Sequence, residues 1–78
     1  MKLPRGVSAD RLIRALGHLG YVATRQKGSH IRLIHEGPPV HYITVPFHDP
    51  LKTGTLHGIL AEVAQAQSIS IQSIADML

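Results

Sequence analysis

The sequence predicts an α+β domain with the order α-β-β-β-α, in which two helices cover one face of a three-stranded antiparallel sheet and a short helix follows at the C-terminus. Three observations support this. Apolar residues recur at helical spacing towards both ends of the chain, three short alternating segments lie between them, and Gly- or Pro-containing turns separate those segments. The 78 residues suffice for one small domain, residues 1–78, and the absence of cysteine excludes disulfide crosslinks.

The first helix is predicted from Ser8 to Leu19. Ser8 is expected to cap its N-terminus, and Gly20 to end it in a left-handed conformation. The spacing of one apolar face supports this prediction, since the face contains Leu12, Ala15, Leu16 and Leu19.

Three strands are predicted next, over Tyr21 to Gln26, His30 to His35 and Val40 to Val45. The turns between them are Lys27-Gly28-Ser29 and Glu36-Gly37-Pro38-Pro39. Because side chains alternate along a strand, Ile31 and Leu33 share one face of the second strand, and His30 and Arg32 share the other. The helices cover one face of such a sheet, so a ligand is expected on the open face or its rim.

The second helix is expected to be capped by Thr53 or Thr55, and a short last helix is expected to start at Ser70. The second helix is predicted from the apolar positions Leu56, Ile59, Leu60 and Val63. The last helix is predicted from Ile71, Ile74, Ala75 and Leu78.

The positive charge is concentrated in the first part of the chain. Residues 1–35 have a net charge of +6 and residues 36–78 a net charge of −3, which together give the overall +3. A basic first half favours a polyanion or an acidic protein as partner. A domain this small also benefits from a partner, and self-association is the weaker alternative.

The sequence has no apolar run near the roughly 20 residues that a membrane span requires. The segment Met1-Lys2-Leu3-Pro4-Arg5-Gly6 also lacks the hydrophobic stretch of a signal peptide. With no cysteine in the chain, we expect a cytoplasmic protein that does not insert into membranes.

Six histidines make a metal site the first chemistry to consider. No His-x-His pair, His-Glu-x-x-His motif or cysteine accompanies them, so we predict no bound metal. A cluster of His35 and His41 across the second hairpin is the alternative. His18 and His57, on the two helices, are expected to be ordinary surface or half-buried residues.

His30 lies in a distinctive setting, because it enters a strand directly after Gly28-Ser29 and is flanked by Arg25, Lys27 and Arg32. Such a corner can hold a phosphate, and a histidine of near-neutral pKa can move a proton to or from a 2′-hydroxyl or a leaving 5′-oxygen during RNA cleavage. The alternative interpretation is an ordinary hairpin turn with solvated charges on either side. On the spacing alone the ordinary hairpin turn is the favoured interpretation, because Gly-Ser turns flanked by basic residues are common.

Three motifs together resemble the HicA toxin family of bacterial and archaeal toxin–antitoxin systems. They are Arg25-Gln26-Lys27-Gly28-Ser29-His30, Val45-Pro46-x-His48 and Leu51-Lys52-x-Gly54-Thr55-Leu56-x-x-Ile59-Leu60. The resemblance extends over nearly the whole chain and implies a double-stranded-RNA-binding-like fold. It also implies an mRNA-cleaving endoribonuclease that requires no metal or other cofactor and is blocked by a HicB antitoxin.

The resemblance further assigns roles to residues. The family's catalytic histidine corresponds to His30, and the histidine of the second motif corresponds to His48, for which we expect a structural or RNA-positioning role. The remaining RNA-binding residues are then Arg25, Lys27, Gly28, Ser29, Arg32 and Lys52. The chain departs from the family pattern at Thr53, which separates Lys52 from Gly54, and in the uncharged turn Gly37-Pro38-Pro39.

Two other function classes remain open on the sequence. A non-catalytic double-stranded-RNA-binding module would use the same cations for shape recognition. An interaction-only subunit would use them to bind an acidic protein.

Overall fold

The computed structural model describes residues 3–78 and confirms the predicted α+β fold. Met1 and Lys2, which belong to the N-terminal segment considered above, lie outside it. The elements are α1 (Ala9–His18), β1 (Tyr21–Lys27), β2 (His30–His35), β3 (His41–Pro46), α2 (Thr53–Gln67) and α3 (Ile71–Ala75).

The three strands form one antiparallel sheet in the order β1-β2-β3, so β2 is central. At one end of β2, His30 lies opposite Lys27 on β1 and Pro46 on β3. At the other end, His35 lies opposite Tyr21 and His41. The two ends of the central strand are thus each flanked by polar or titratable groups.

The helices pack on one face of the sheet. Ile31, Leu33, Ile43 and Val45 point into the core, because successive residues of a strand alternate between its faces. The core is completed mainly from α1, α2 and α3, and the helical side chains that are fully buried are Leu12, Leu16, Leu56, Leu60, Val63 and Ile74. The other face of the sheet carries no helix of the described residues 3–78, and we call it the open face.

The predicted ends of α1 and the start of α3 are confirmed. The Ser8 Oγ accepts a hydrogen bond of 3.1 Å from the Arg11 backbone N–H, and Ser70 makes the same 3.1 Å contact with Ser73. Gly20 follows α1 with φ of +101°, the left-handed conformation that glycine adopts most readily.

The predicted cap of α2 is wrong. Its N-cap residue is Lys52, whose side chain makes no capping hydrogen bond, whereas Thr53 is already the first helical residue. The start is set instead by Leu51, which is buried and whose backbone N–H donates to the Val7 carbonyl over 2.8 Å. Because the helix begins directly after Lys52, Thr53 and Thr55 lie inside it, where their hydroxyls do not act as the N-cap.

The strand boundaries differ slightly from those predicted. β1 continues to Lys27, and β3 begins at His41 instead of Val40 and runs on to Pro46. Within residues 3–78, none of the helices has the length and apolar character needed to cross a bilayer.

Candidate nucleic-acid interface

The middle strand directs His30 and Arg32 onto the open face. Ile31 and Leu33 are buried between the sheet and the helices, while His30 and Arg32 are exposed. This is the alternation that the sequence predicts. A histidine and an arginine therefore share an uncovered surface.

A β-bulge at Thr24 brings two further cations onto this surface. Tyr21 is buried, so strict alternation from it would direct Arg25 and Lys27 towards the core. The bulge leaves Thr24 without a partner, and its hydroxyl donates to the Arg32 carbonyl over 3.3 Å. As a result, Arg25 lies opposite Arg32, and Lys27 lies opposite His30.

The open face has a shallow depression of about 210 Å³ at this end of the sheet, which we call the cationic depression. It is lined by Arg25, Lys27, His30, Arg32 and Thr44. Within residues 3–78, none of its cations pairs with a carboxylate, and the His30 ring makes no hydrogen bond. Like charges opposite each other on neighbouring strands are destabilising. The depression is therefore suited to an anion, which would relieve that repulsion.

The β1–β2 turn, Gly28-Ser29, lies between Lys27 and His30, two of the residues that line the depression. Gly28 has φ of +58°, and a Cβ at this position would meet nothing within 4 Å. The Gln26 side-chain amide donates to the Gly28 carbonyl over 3.2 Å, and the Phe47 backbone N–H donates to the Ser29 carbonyl over 2.6 Å. Gly28 thus permits the tight turn and leaves space beside it.

The structure does not bring all the predicted site residues into the depression. Gly28, Ser29 and His48 are exposed but do not line it. The backbone of His48 is fixed, since its carbonyl accepts from the Ala9 N–H over 3.0 Å. Lys52 lines a different hollow, together with Arg5 and His57. His48 and Lys52 can thus meet only outlying parts of a ligand that occupies the cationic depression.

The opposite end of the sheet holds a second polar group, which we call the His41 network. The Tyr21 hydroxyl lies 2.6 Å from His41 Nδ1, and the Gln67 amide donates to the same hydroxyl over 3.1 Å. His41 Nε2 lies 3.1 Å from a carboxylate oxygen of Glu62. Both nitrogens of His41 are therefore engaged by other side chains.

Burial is the main reason that the pKa of Tyr21 is raised above its ordinary value. The hydrogen bond from Gln67 opposes this shift, and the negative charge of Glu62 adds to it. Tyr21 therefore remains a neutral hydrogen-bonding group, joining β1 to β3 and α2.

The His41 network also bears on the metal alternative. His35 and His41 are neighbours across β2 and β3, as that alternative requires. However, the His35 Nδ1 accepts from the Gly37 N–H over 3.0 Å, and no group of three potential ligands forms within residues 3–78. His35 and His41 are thus held by protein groups.

Sequence reasoning missed two residues of the open face. Thr44 lines the cationic depression, and Tyr42 lies against Arg32, whose guanidinium carbon is 5.0 Å from the ring centre. The alternation of β3 was available as a signal, because Ile43 and Val45 are apolar and point to the core. Tyr42 and Thr44 must then face outward with Arg32.

The fold and this surface define a small α+β domain with a cationic, histidine-bearing open sheet face suited to a polyanion. Residues 9–66 of the 78 match the model of the family described as HicA toxin of bacterial toxin-antitoxin. The chain belongs to the HicA toxin family, and the resemblance found in its motifs is confirmed. It has no significant match among curated proteins or among solved structures.

Proposed function

We propose that this toxin is a metal-independent endoribonuclease that cleaves mRNA, with His30 as its proton-transfer group. The observation that carries the proposal is the group of cations beside His30 on the open face, where Arg25 lies opposite Arg32 and Lys27 lies opposite His30. The like charges of the two arginines cost stability in the free protein, and a phosphate bound beside them would offset that cost.

The proposed reaction uses the RNA's own 2′-hydroxyl as nucleophile. Its oxygen attacks the adjacent phosphorus, the bond from phosphorus to the 5′-oxygen breaks, and the products are a 2′,3′-cyclic phosphate and a free 5′-hydroxyl. His30 either removes the proton from the 2′-hydroxyl or protonates the 5′-oxygen, and water exchanges the other proton. His30 is exposed and its ring nitrogens have no hydrogen-bond partner within residues 3–78, which suits either role.

The cations around His30 stabilise the charge that builds on the phosphate in the transition state. Arg25 and Arg32 offer planar guanidinium groups for two phosphate oxygens, and Lys27 supplies a third positive charge. Gly28 and Ser29 position this corner, with backbone close to the phosphate. His48 and Lys52 are assigned to outlying nucleotides, because neither lines the cationic depression.

The proposed partner is a HicB antitoxin that inhibits the toxin in the cytoplasm. Membership of a toxin–antitoxin family supports a dedicated protein inhibitor. We propose that residues 1–78 act as one HicA-like domain in this pairing.

The test is cleavage of a single-stranded transcript by the purified chain, with and without a chelator, and by His30→Ala. We expect cleavage that resists chelation, stops at positions given a single 2′-deoxynucleotide, and is lost in folded His30→Ala. His18→Ala, which removes an exposed imidazole from α1 outside the depression, is the matched control and should retain the activity. Unchanged cleavage by folded His30→Ala would overturn the proposal, and salt-sensitive binding of duplex RNA without cleavage would identify a binding module instead.

A further inference from the structure

Tyr42 presents an aromatic ring on the open face, where core packing does not require one. Its side chain is 50% exposed, and its neighbour Val22 is 60% exposed. Tyr42 lies opposite Ile34, which in turn lies opposite Val22, so these three residues form an apolar row across the sheet. The next row on the open face contains Arg25, Arg32 and Thr44, so on this face the apolar row adjoins the cationic depression.

The Tyr42 ring also contacts the positively charged side chain of Arg32. The Arg32 guanidinium carbon lies 5.0 Å from its centre, which is the geometry of a cation–π pair. Aromatic rings and arginine planes are the surfaces on which proteins stack unpaired RNA bases. Arg32 and Tyr42 together therefore form a pre-arranged stacking surface.

This pair lies at the rim of a cleft of about 440 Å³ between β3 and α2. Gly54 and Gly58 line the α2 side of the cleft, and the absence of side chains there leaves room for a planar group. Arg32 and Thr44 line both this cleft and the cationic depression, so the two hollows adjoin. Thr55 and Glu62 add polar groups to the cleft that can hydrogen-bond a base edge.

We propose that Arg32 and Tyr42 form a base-binding subsite, which holds an unpaired base of the RNA strand whose phosphate lies beside His30. This inference rests on the proposed function and extends it to single-stranded RNA with a base stacked at a distance from the cleaved bond. His30 and Ile34 are four residues apart on β2, or about 13 Å. The subsite is therefore a few nucleotides from the cleaved phosphate. It determines how tightly the RNA binds and which sequences are preferred.

RNA is favoured over a protein as occupant because the apolar row is continuous with unpaired cations. Arg25 and Arg32, which have no carboxylate partners within residues 3–78, adjoin it directly, and Lys27 follows one open-face row further on. A strand with a regular phosphate repeat would occupy both parts of this surface at once.

Tyr42→Trp provides a direct test, since the chain contains no tryptophan of its own. The probe is a single-stranded 2′-O-methyl RNA, which cannot be cleaved through its 2′-oxygen. We expect it to quench the fluorescence of Tyr42→Trp, and an abasic strand of equal length to quench it much less. Gln65→Trp, exposed on α2 in the other layer, is the matched control and should not respond.

Affinity measurements complete the test. Tyr42→Leu should weaken binding of the same RNA about tenfold, whereas Tyr42→Phe, which keeps the ring, should stay close to the parent chain. Equal quenching by the abasic strand, or unchanged affinity in Tyr42→Leu, would overturn the inference. A Tyr42→Trp response to the antitoxin but not to RNA would also overturn it and assign the apolar row to protein docking.

Base-dependent quenching can be separated from the proposed catalysis. A chain that stacks a base on Tyr42 but does not cleave RNA would refute the proposed function and leave the subsite in place. If the Tyr42→Leu variant cleaved RNA as well as the parent chain does, the subsite would be refuted and the catalysis would stay in place.

Discussion

The two ends of the sheet use the same residue types in opposite ways. At one end, His30 is exposed, free of protein hydrogen bonds within residues 3–78, and surrounded by Arg25, Lys27 and Arg32. At the other end, His41 is held on both ring nitrogens, by Tyr21 and by Glu62. Residue type and position on a strand therefore do not distinguish a histidine that is free to meet a ligand from one that is held in the fold. The hydrogen-bond partners of the imidazole make that distinction.

Removing His30 and His41 in turn tests this contrast between the two ends of the sheet. His30→Ala should lower the RNA cleavage rate by about 10²–10⁴-fold, the usual contribution of a proton-transfer group, and change the free energy of unfolding by less than about 0.5 kcal/mol. His41→Ala should do the reverse, lowering the free energy of unfolding by about 1–3 kcal/mol because Tyr21 and Glu62 lose a partner. Transcript cleavage and urea unfolding measure the two effects.

The opposite results for the two variants would refute the assignment of His30 as the proton-transfer group and of His41 as a structural residue. If His41→Ala lost cleavage while its unfolding curve matched that of the parent chain, the catalytic assignment would belong at the other end of the sheet. Substitution of His57, which is exposed on α2, serves as control for removing an imidazole from the surface.

Much of this comparison could be predicted from the sequence. The motif around Gly28 and His30 and the alternation of β2 identify His30 and Arg32 as partners on the open face. The position of Arg25 and Lys27 could not be predicted by alternation, because counting by twos from buried Tyr21 places both towards the core. The bulge at Thr24 instead turns both side chains to the open face. A bulge depends on how two strands pair with each other, and the sequence of one strand alone does not contain that information.

The His41 network was beyond sequence reasoning for another reason. Its members come from β1, β3 and α2, and Tyr21 and Gln67 are 46 residues apart in the chain. Only the packing of α2 across the sheet brings them together. The start of α2 was mispredicted for a similar reason, since a backbone hydrogen bond from Leu51 to Val7 sets it.

The structural end of the sheet should also show a pH dependence. Burial raises the pKa of Tyr21 above its ordinary value of about 10, so the unfolded chain loses this proton first as the pH rises. The free energy of unfolding should therefore decline above about pH 10, and Tyr21→Phe should remove that decline. At neutral pH, Tyr21→Phe should cost about 1 kcal/mol, because His41 and Gln67 lose a hydrogen-bond partner.

Urea unfolding at neutral and alkaline pH measures both effects. Tyr42→Phe is the matched control, since it keeps Tyr21 and hence the alkaline decline. The same decline in Tyr21→Phe as in the parent chain would show that another group is responsible.

A smaller effect is expected from single cations at the His30 end. Each phosphate contact with single-stranded RNA contributes about −0.7 to the slope of log affinity against log salt. Lys27→Gln should reduce the steepness of that slope by about this amount, because Lys27 lines the cationic depression without a carboxylate partner in the described chain. Arg14→Gln, exposed on α1, should leave it unchanged. Equal slopes for Lys27→Gln and Arg14→Gln would argue against RNA contact at the depression.

The smallest expected effect comes from deleting Thr24, and it tests why the two ends differ. In the present register, Ala23 pairs with Leu33 and Arg25 with Arg32, so removal of Thr24 yields a regular ladder in which Arg25 and Lys27 keep their face. Unfolding free energy should change by less than about 1 kcal/mol, and RNA affinity should persist. Inserting one alanine after Thr24 should instead weaken binding, because a one-residue slip turns Arg25 and Lys27 away from the open face. If deletion and insertion were equally harmful, the bulge itself, and not the face it selects, would be what the cationic end of the sheet requires.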